Sequence, residues 1–290
     1  MNTHDATPFL AALVAASCLG CQSTDQADES LPAATDPGGK SDSFEGDDRT
    51  SVLDSLDPRA PGWAMSVALL TTRIGPDSTA EVPTLGERFD LCTGERFASD
   101  PFLGHCTAFL VGPDLVATAA HCLAQHSCDT TQILFGFNDA ERNDDIGFLA
   151  SEDIYRCDTS FLAEDDDIAL IRLDRIVEDR VPVPLGETFP GRRVGLVGHP
   201  LGGRATVDLS GIVESSTERR ISTTLDTFSG HSGSPVFDLD SGEVVAIHTS
   251  GAGFNLEPSA ASCSRLASCH PGEFEDCLAG ATNVDLLPFE

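Results

Sequence analysis

Three short segments of this 290-residue chain carry side chains suited to nucleophilic acyl transfer. Residues 229–235 read Ser-Gly-His-Ser-Gly-Ser-Pro, 118–122 read Thr-Ala-Ala-His-Cys, and 165–170 read Asp-Asp-Asp-Ile-Ala-Leu. A serine hydroxyl is a poor nucleophile at neutral pH and needs a base to take its proton. Ser232 is the candidate nucleophile and His121 the base, then acid. Asp167 is the candidate orienter of the His121 tautomer, stabilising the imidazolium. Asp165 and Asp166 are competitors for that role. The chain order His, Asp, Ser excludes two other serine-hydrolase architectures, which run Asp, His, Ser and Ser, Asp, His. The backbone N–H groups of Gly230 and Ser232 are candidates for an oxyanion hole. Glycine lets such an N–H point inward without a Cβ clash.

The elements that must position these residues read as short strands. Residues 104–122 are two apolar strands around a Gly-Pro-Asp turn, ending on His121. Asp167 stands directly before an apolar run, Ile168 to Leu173. A first strand is expected over Met65–Thr72, followed by an insertion from Arg73 to Leu103 that contains Cys92. The proline-bearing stretch Asp179–Pro190 reads as a crossover. Further strands are expected at Val194–Gly198, Thr206–Ser215, Arg220–Thr224, Ser234–Asp238 and Val244–Thr249. The Cys-rich stretch 263–277 reads as a second insertion, and Gly280–Val284 as a last strand with a short helical tail. Many short strands with Gly and Pro turns argue for closed antiparallel sheets.

Over roughly residues 60–290 the three segments resemble the trypsin-like, chymotrypsin-fold serine peptidases. The resemblance implies an all-β fold of two antiparallel β-barrels with the active site in the cleft between them. The peptidase domain would span 47–290, with the first barrel about 60–178 and the second about 190–290. It selects Asp167, because the family's aspartate abuts the apolar run, and it implies a disulfide between Cys106 and Cys122. Ser229 and Ser234 become bystanders, Ser234 as a packing residue. The variant Gly230-His231-Ser232-Gly233-Ser234-Pro235 is most similar to the bacterial V8-like, glutamyl endopeptidase branch. Ile247-His248-Thr249-Ser250-Gly251, Leu196-Val197-Gly198-His199-Pro200 and Asp47-Asp48-Arg49 resemble that branch too.

In that branch a histidine, a Ser/Thr five positions before the nucleophile and the new N-terminal amine hold a P1 carboxylate. The matching residues are His248 and Thr227. A His and a hydroxyl can supply a carboxylate with donors. Cleavage after Glu, or also Asp, is the implied specificity; a broader one, with His248 a core histidine and Thr227 a loop residue, is the alternative. Thr249, Ser250 and Gly251 would pair with substrate backbone by β-augmentation, and Gly251 would leave the pocket mouth open. His231 departs from the animal enzymes, whose aspartate at that position pairs with a freshly cut N-terminus. If activation requires cleavage, a zymogen cut after Lys40 or a little beyond, freeing an amine near Phe44–Asp48, is the route the V8-like resemblance implies.

Composition bounds the rest. Lys+Arg 17 against Asp+Glu 47 gives a net charge of −30 and a pI near 4.3. Such a surface repels phosphate backbones, so nucleic acid is not an expected partner; protein or peptide substrates are. Of ten cysteines, Cys18 and Cys21 lie in the leader. The even number left in the body reads as disulfides, not zinc ligands. Cys128–Cys157 is a further candidate pair. The connectivity of Cys92, Cys263, Cys269 and Cys277 stays open. Residues Phe9–Leu19 suit a signal-peptide core, so 1–21 is expected to direct export. Cys18-Leu19-Gly20-Cys21 resembles a lipobox that would acylate Cys21 and anchor the protein at the bacterial cell envelope; an ordinary signal peptide and a secreted protein are the alternative. Residues 22–46 are poor in large apolar side chains and read as a disordered tether or propeptide. No cofactor and no metal is implied. Two other function classes remain: a catalytically silent, lipid-anchored binding protein on the same scaffold, and an esterase using the same triad.

Overall fold

A computed structural model of the chain describes residues 47–74, 82–124, 126–141, 151–251, 256–259, 262–267 and 278–287. The chain divides into two units, Met1–Gly39 and Lys40–Glu290, and every described residue belongs to the second. The expected leader, tether, Cys21, Lys40 cut site, Cys269 and Cys277 lie outside the described residues. Among the described residues no helix is long and apolar enough to cross a membrane.

The described strands are β1 (Thr50–Ser51), β2 (Val67–Thr71), β3 (Cys106–Gly112), β4 (Leu115–Ala119), β5 (Gln132–Phe135), β6 (Ile154–Ala163), β7 (Ile168–Leu173) and β8 (Arg193–Gly198). They continue as β9 (Thr206–Ser216), β10 (Arg220–Thr223), β11 (Pro235–Asp238), β12 (Val244–Ser250), β13 (Leu256–Pro258), β14 (Ser264–Leu266) and β15 (Ala279–Asn283). Strands β2-β3-β4-β7-β6-β5 close a first six-stranded barrel. Strands β8-β9-β10-β15-β12-β11 close a second through the β8–β9 pairing, and β1 adds to β9 from outside. All these pairings are antiparallel. The fold is the expected all-β pair of barrels.

Strand alternation explains why both faces of many strands are apolar. Ala68, Leu70, Ala108, Leu110, Ile133, Phe135, Ala169 and Ile171 form one cluster, the interior of the first barrel. The residues between them, Val67, Phe109, Ile168 and Leu170, join Val197, Val207, Phe237 and Ile247 of the second barrel in a shared seam. Val194, Leu196, Val213, Ile221, Val236 and Ala281 fill the second barrel. Burying each large apolar side chain contributes about 1.5–3 kcal/mol, so the seam makes the barrels one body and fixes the cleft between them.

Several local expectations need correction. Met65 does not begin the first strand: it ends helix α1 (Ala60–Met65). Pro61 sits in that helix's first turn, where its missing N–H costs nothing, and Trp63 stacks on Phe237 with ring centroids 4.7 Å apart. The strand ends at Thr71, whose hydroxyl donates to Leu103 O at 2.6 Å. Ser234 precedes β11, which starts at Pro235. The tail is a single 3-10 turn, Val284–Leu286. The insertion after β2 carries helix α2 (Leu85–Phe89) and is tied to the β13–β14 hairpin by the Cys92–Cys263 disulfide. Cys106–Cys122 and Cys128–Cys157 are also bonded.

Candidate active site

His121 follows β4 and opens the four-residue helix α3 (His121–Ala124), exposed at the end of the first barrel. Asp167 sits at the other side of the β4–β7 pair, where Ala119 is opposite Ile168. Its backbone is left-handed (φ 56°), a conformation Asp tolerates better than most residues. That turn brings its carboxylate around His121: Oδ1 accepts from His121 N at 2.9 Å and Oδ2 from His121 Nδ1 at 2.8 Å. A carboxylate only accepts, so Nδ1 carries a proton, and in the neutral ring Nε2 is the nitrogen left to accept one. Burial raises the Asp167 pKa, but the His121 hydrogen bonds and nearby positive charge outweigh it, so the carboxyl lies below its ordinary value and stays ionised. The competitors are used otherwise: Asp165 is exposed, while Asp166 pairs with Arg219 and its carbonyl accepts from Thr282.

Ser232 is half-buried in a turn of the second barrel, flanked by Gly230 (φ 95°) and Gly233 (φ 86°). The turn is pinned to the first barrel by Thr107 of β3. Thr107 N donates to Ser232 O at 2.8 Å and its hydroxyl to Gly230 O at 2.9 Å. A Cβ on Gly233 would run into Thr107 O and Thr118 Oγ1, so only glycine allows this approach beside β4. Ser232 O lies 3.7 Å from Cys122 Sγ, the residue next to His121. Two more peptides are turned by their carbonyls. Ser229 O accepts from Leu201 N at 2.5 Å and His231 O from Ser234 N at 2.8 Å. In a trans peptide the N–H opposes the C=O, so Gly230 N and Ser232 N face the other way. Neither donates to another group among the described residues.

The residue before Ser232 is fully buried. His231 Nδ1 accepts from Phe228 N at 3.0 Å, and burial, then Arg49 and the neighbouring histidines, hold its pKa well below 6.5. It is a neutral support, not a charge that could pair with an amine. His248, on β12, is also buried, its pKa pushed down to about 3 by burial and by His121. Thr227 and Gly251 lie beside it: a Cβ on Gly251 would stand 2.7 Å from Thr227 Oγ1 and 3.8 Å from His248 Nε2. The structure therefore brings Thr227, His248 and Gly251 together. Thr249 is buried, its hydroxyl 3.5 Å from Gly280 O, and Ser250 is exposed. The β11–β12 register ends at Pro235–Ile247, and backbone bonds continue it to His248, whose O accepts from Gly233 N at 2.8 Å and whose N donates to Ser234 O at 2.9 Å; residues 249–251 follow directly.

Two residues were not singled out from the sequence. Thr107 lies inside the 104–122 segment, yet nothing local marks its hydroxyl as the bridge between barrels. Asp226 stands next to Thr227; its Oδ2 accepts from Asp48 N at 2.8 Å, and its N donates to the buried Asp208 carboxylate at 2.7 Å. Burial and then Asp208 raise the Asp226 pKa to about 7.

Two closed barrels with a His–Asp pair and a glycine-flanked serine at their junction define the chymotrypsin-fold class. Residues 106–247 match the family model of the trypsin-like peptidase domain. The chain carries a domain of that trypsin-like peptidase family over these residues. Among solved structures it is similar to the Vibrio cholerae VesB protease at 12% identity and a TM-score of 0.51, over 82% of this chain and 64% of that one. It is similar to human heparin binding protein at 14% identity and a TM-score of 0.50, over 83% and 92%. A Glu endopeptidase in complex with MPD aligns at 16% identity and a TM-score of 0.49, over 83% and 92%. The search of curated proteins matches none to this chain.

Proposed function

We propose that the chain is an exported serine endopeptidase that hydrolyses peptide bonds through an acyl-enzyme on Ser232, with preference for Glu at P1. The observation that carries the reading is the Asp167 clasp on His121, which leaves Nε2 as the base, next to Cys122, whose Sγ lies 3.7 Å from Ser232 O. Ser232 Oγ attacks the scissile carbonyl as its proton passes to His121 Nε2. The Gly230 and Ser232 N–H groups receive the oxyanion; losing one such donor typically costs about 3 kcal/mol of transition-state stabilisation. The C–N bond breaks as the proton moves from His121 to the leaving amine. Water then repeats the attack, giving its proton to His121, which returns it to Ser232.

Thr227 and His248 support the P1 assignment. A neutral His248 offers one donor, and a carboxylate beside it would draw its pKa up. Thr249–Gly251 would take the substrate backbone as an added strand. The three disulfides fit an oxidising compartment, and with the leader they support export. Anchoring through Cys21 rests on the leader sequence alone. One neighbour of this fold is a heparin binding protein, so fold by itself does not separate an enzyme from a binding scaffold. A net charge of −30 opposes binding a polyanion.

The test is a peptide library with varied P1, plus a simple ester, run on the oxidised protein and on Ser232→Ala. Cleavage after Glu that vanishes in Ser232→Ala, and Glu preference that falls at least tenfold in His248→Gln, is the expected result. Cleavage after other residues refutes the pocket assignment, ester turnover alone refutes the peptidase, and no turnover with no reaction toward a serine-directed phosphonate refutes catalysis.

A further inference from the structure

Among the described residues the largest side chain with almost no exposure is a charged one. Arg49 is 1% exposed. Its Nε and Nη2 donate to the two Asp47 carboxylate oxygens, both at 2.7 Å. Its guanidinium lies over the Phe228 ring, 3.7 Å from the centroid, and 5.2 Å from that of Phe97. Phe228 opens the turn 228–231 that immediately precedes Ser232. Phe228 N donates to His231 Nδ1, and His231 N donates to Phe228 O, each at 3.0 Å. On the other side of Thr227, Asp48 N holds Asp226. The segment 47–49 therefore touches the catalytic turn at both flanks of the pocket threonine.

A second layer holds the segment in place. Arg96 donates to the carbonyls of Asp47 and Arg49, and its guanidinium lies 5.0 Å from the Phe97 ring centroid. Both residues belong to the insertion after β2. That insertion is fastened to β14 by Cys92–Cys263 and by exchanged backbone bonds, Cys92 N to Ser264 O and Ser264 N to Asp90 O.

A buried ion pair is a costly way to fill space; apolar groups of the same volume commonly do as well or better. What a guanidinium adds is geometry: one flat face for an aromatic ring and a forked edge for a carboxylate at the same time. We propose that Arg49 is a positioning residue for the catalytic turn, and that the disulfide-fastened insertion acts through Arg96 and Phe97 to hold Arg49 against Phe228. This rests on Ser232 being the nucleophile of the proposed peptidase. Arg49 touches no reacting atom; it acts through Phe228 and His231 on the Gly230 and Ser232 N–H groups. Oxyanion donors displaced by an ångström cost about 100-fold in rate.

The experiment compares Arg49→Met, Arg49→Lys and the milder Arg96→Gln in the full chain, with exposed Arg88→Gln as control. Rates are normalised to the fraction of protein that reacts with a serine-directed phosphonate. Amide hydrogen exchange of residues 226–234 is followed separately. The expected result for Arg49→Met is a kcat lower by about 100-fold, with KM changed little. Exchange across 226–234 should be faster by tenfold or more while β3 and β4 stay protected. Arg49→Lys keeps the charge but not the fork and should recover only part of the loss; Arg96→Gln should follow in the same direction. Wild-type kcat per titrated site, or unchanged exchange in the turn, overturns the proposal. If wild-type protein shows no turnover, the peptidase reading fails, and the exchange measurement still decides whether Arg49 holds the turn.

Discussion

Replacing Asp226 by Asn removes a titratable group while keeping an oxygen that can accept from Asp48 N. In the folded protein burial, then the charge of Asp208, raises the Asp226 pKa from 3.8 to about 7. Unfolding returns it to the ordinary value. Between those two values the folded chain holds a proton that the unfolded chain has lost, so stability from this group falls as pH rises through the window. It is fully present below about pH 4 and gone above about pH 7. The interval from 3.8 to about 7, at about 1.4 kcal/mol for each tenfold change, sets a ceiling near 4 kcal/mol. The side chain keeps some contact with solvent, so about 2 kcal/mol is the better expectation. Asp226→Asn should therefore melt about 4–8 °C above wild type at pH 8 and together with it at pH 4. Fluorescence of Trp63, the single tryptophan, stacked on Phe237 in the seam, reports the transition. Equal stability of the two proteins at pH 8, or a variant that is weaker there, would refute the reasoning.

Two further outcomes follow from the site. Asp167→Asn can turn its amide toward His121 and impose the wrong tautomer, so kcat should fall by about 10⁴ with the melting temperature nearly unchanged; a loss under tenfold contradicts the assigned role. Gly233→Ala puts a Cβ onto Thr107 O at a φ of 86°, and unfolding in urea should show a loss of about 3 kcal/mol or more, whereas a neutral effect would mean the turn does not depend on this contact.

The segments that lay in the sequence as strands with motifs at their ends were legible because each strand answers to two burial surfaces. In β7, Ile168 and Leu170 meet the seam while Ala169 and Ile171 fill the barrel, which is why the run after Asp167 is unbroken. The turn around Ser232 was legible through its family motif, and the structure gives the physical reason for the glycines: Gly230 and Gly233 have positive φ and close backbone neighbours. What stayed hidden depends on partners far along the chain. Cys92 and Cys263 are separated by 171 positions, and four free candidates allowed three pairings. Helix α2 did carry a local signal: Thr84 and Glu87 form a capping box, the hydroxyl accepting from Glu87 N at 3.1 Å. The short helix α1 gave only Pro61 as its mark, and the apolar residues around Met65 read equally well as strand. Thr107 had no local signature, and Asp47-Asp48-Arg49 stood out only as a resemblance, since the roles of both exist only once the two barrels and the N-terminal segment meet.

The neutral residue beside Ser232 and the buried arginine behind it form one solution. A carboxylate at position 231, fully buried, would need a cation brought to it, because an isolated buried charge is costly. Here His231 uses Nδ1 as an acceptor for Phe228 N, and its low pKa keeps it uncharged. The turn then needs no freed amine to balance it. The cation that does come near is Arg49, already balanced by Asp47 and held through the chain carbonyls by Arg96. Support for the turn around Ser232 therefore runs through residues 47–49. Any trimming of the N-terminal region compatible with this arrangement must stop before Asp47. A cut beyond Arg49 would remove at once the Asp48 contact with Asp226, the stack on Phe228 and the ion pair that keeps the guanidinium there.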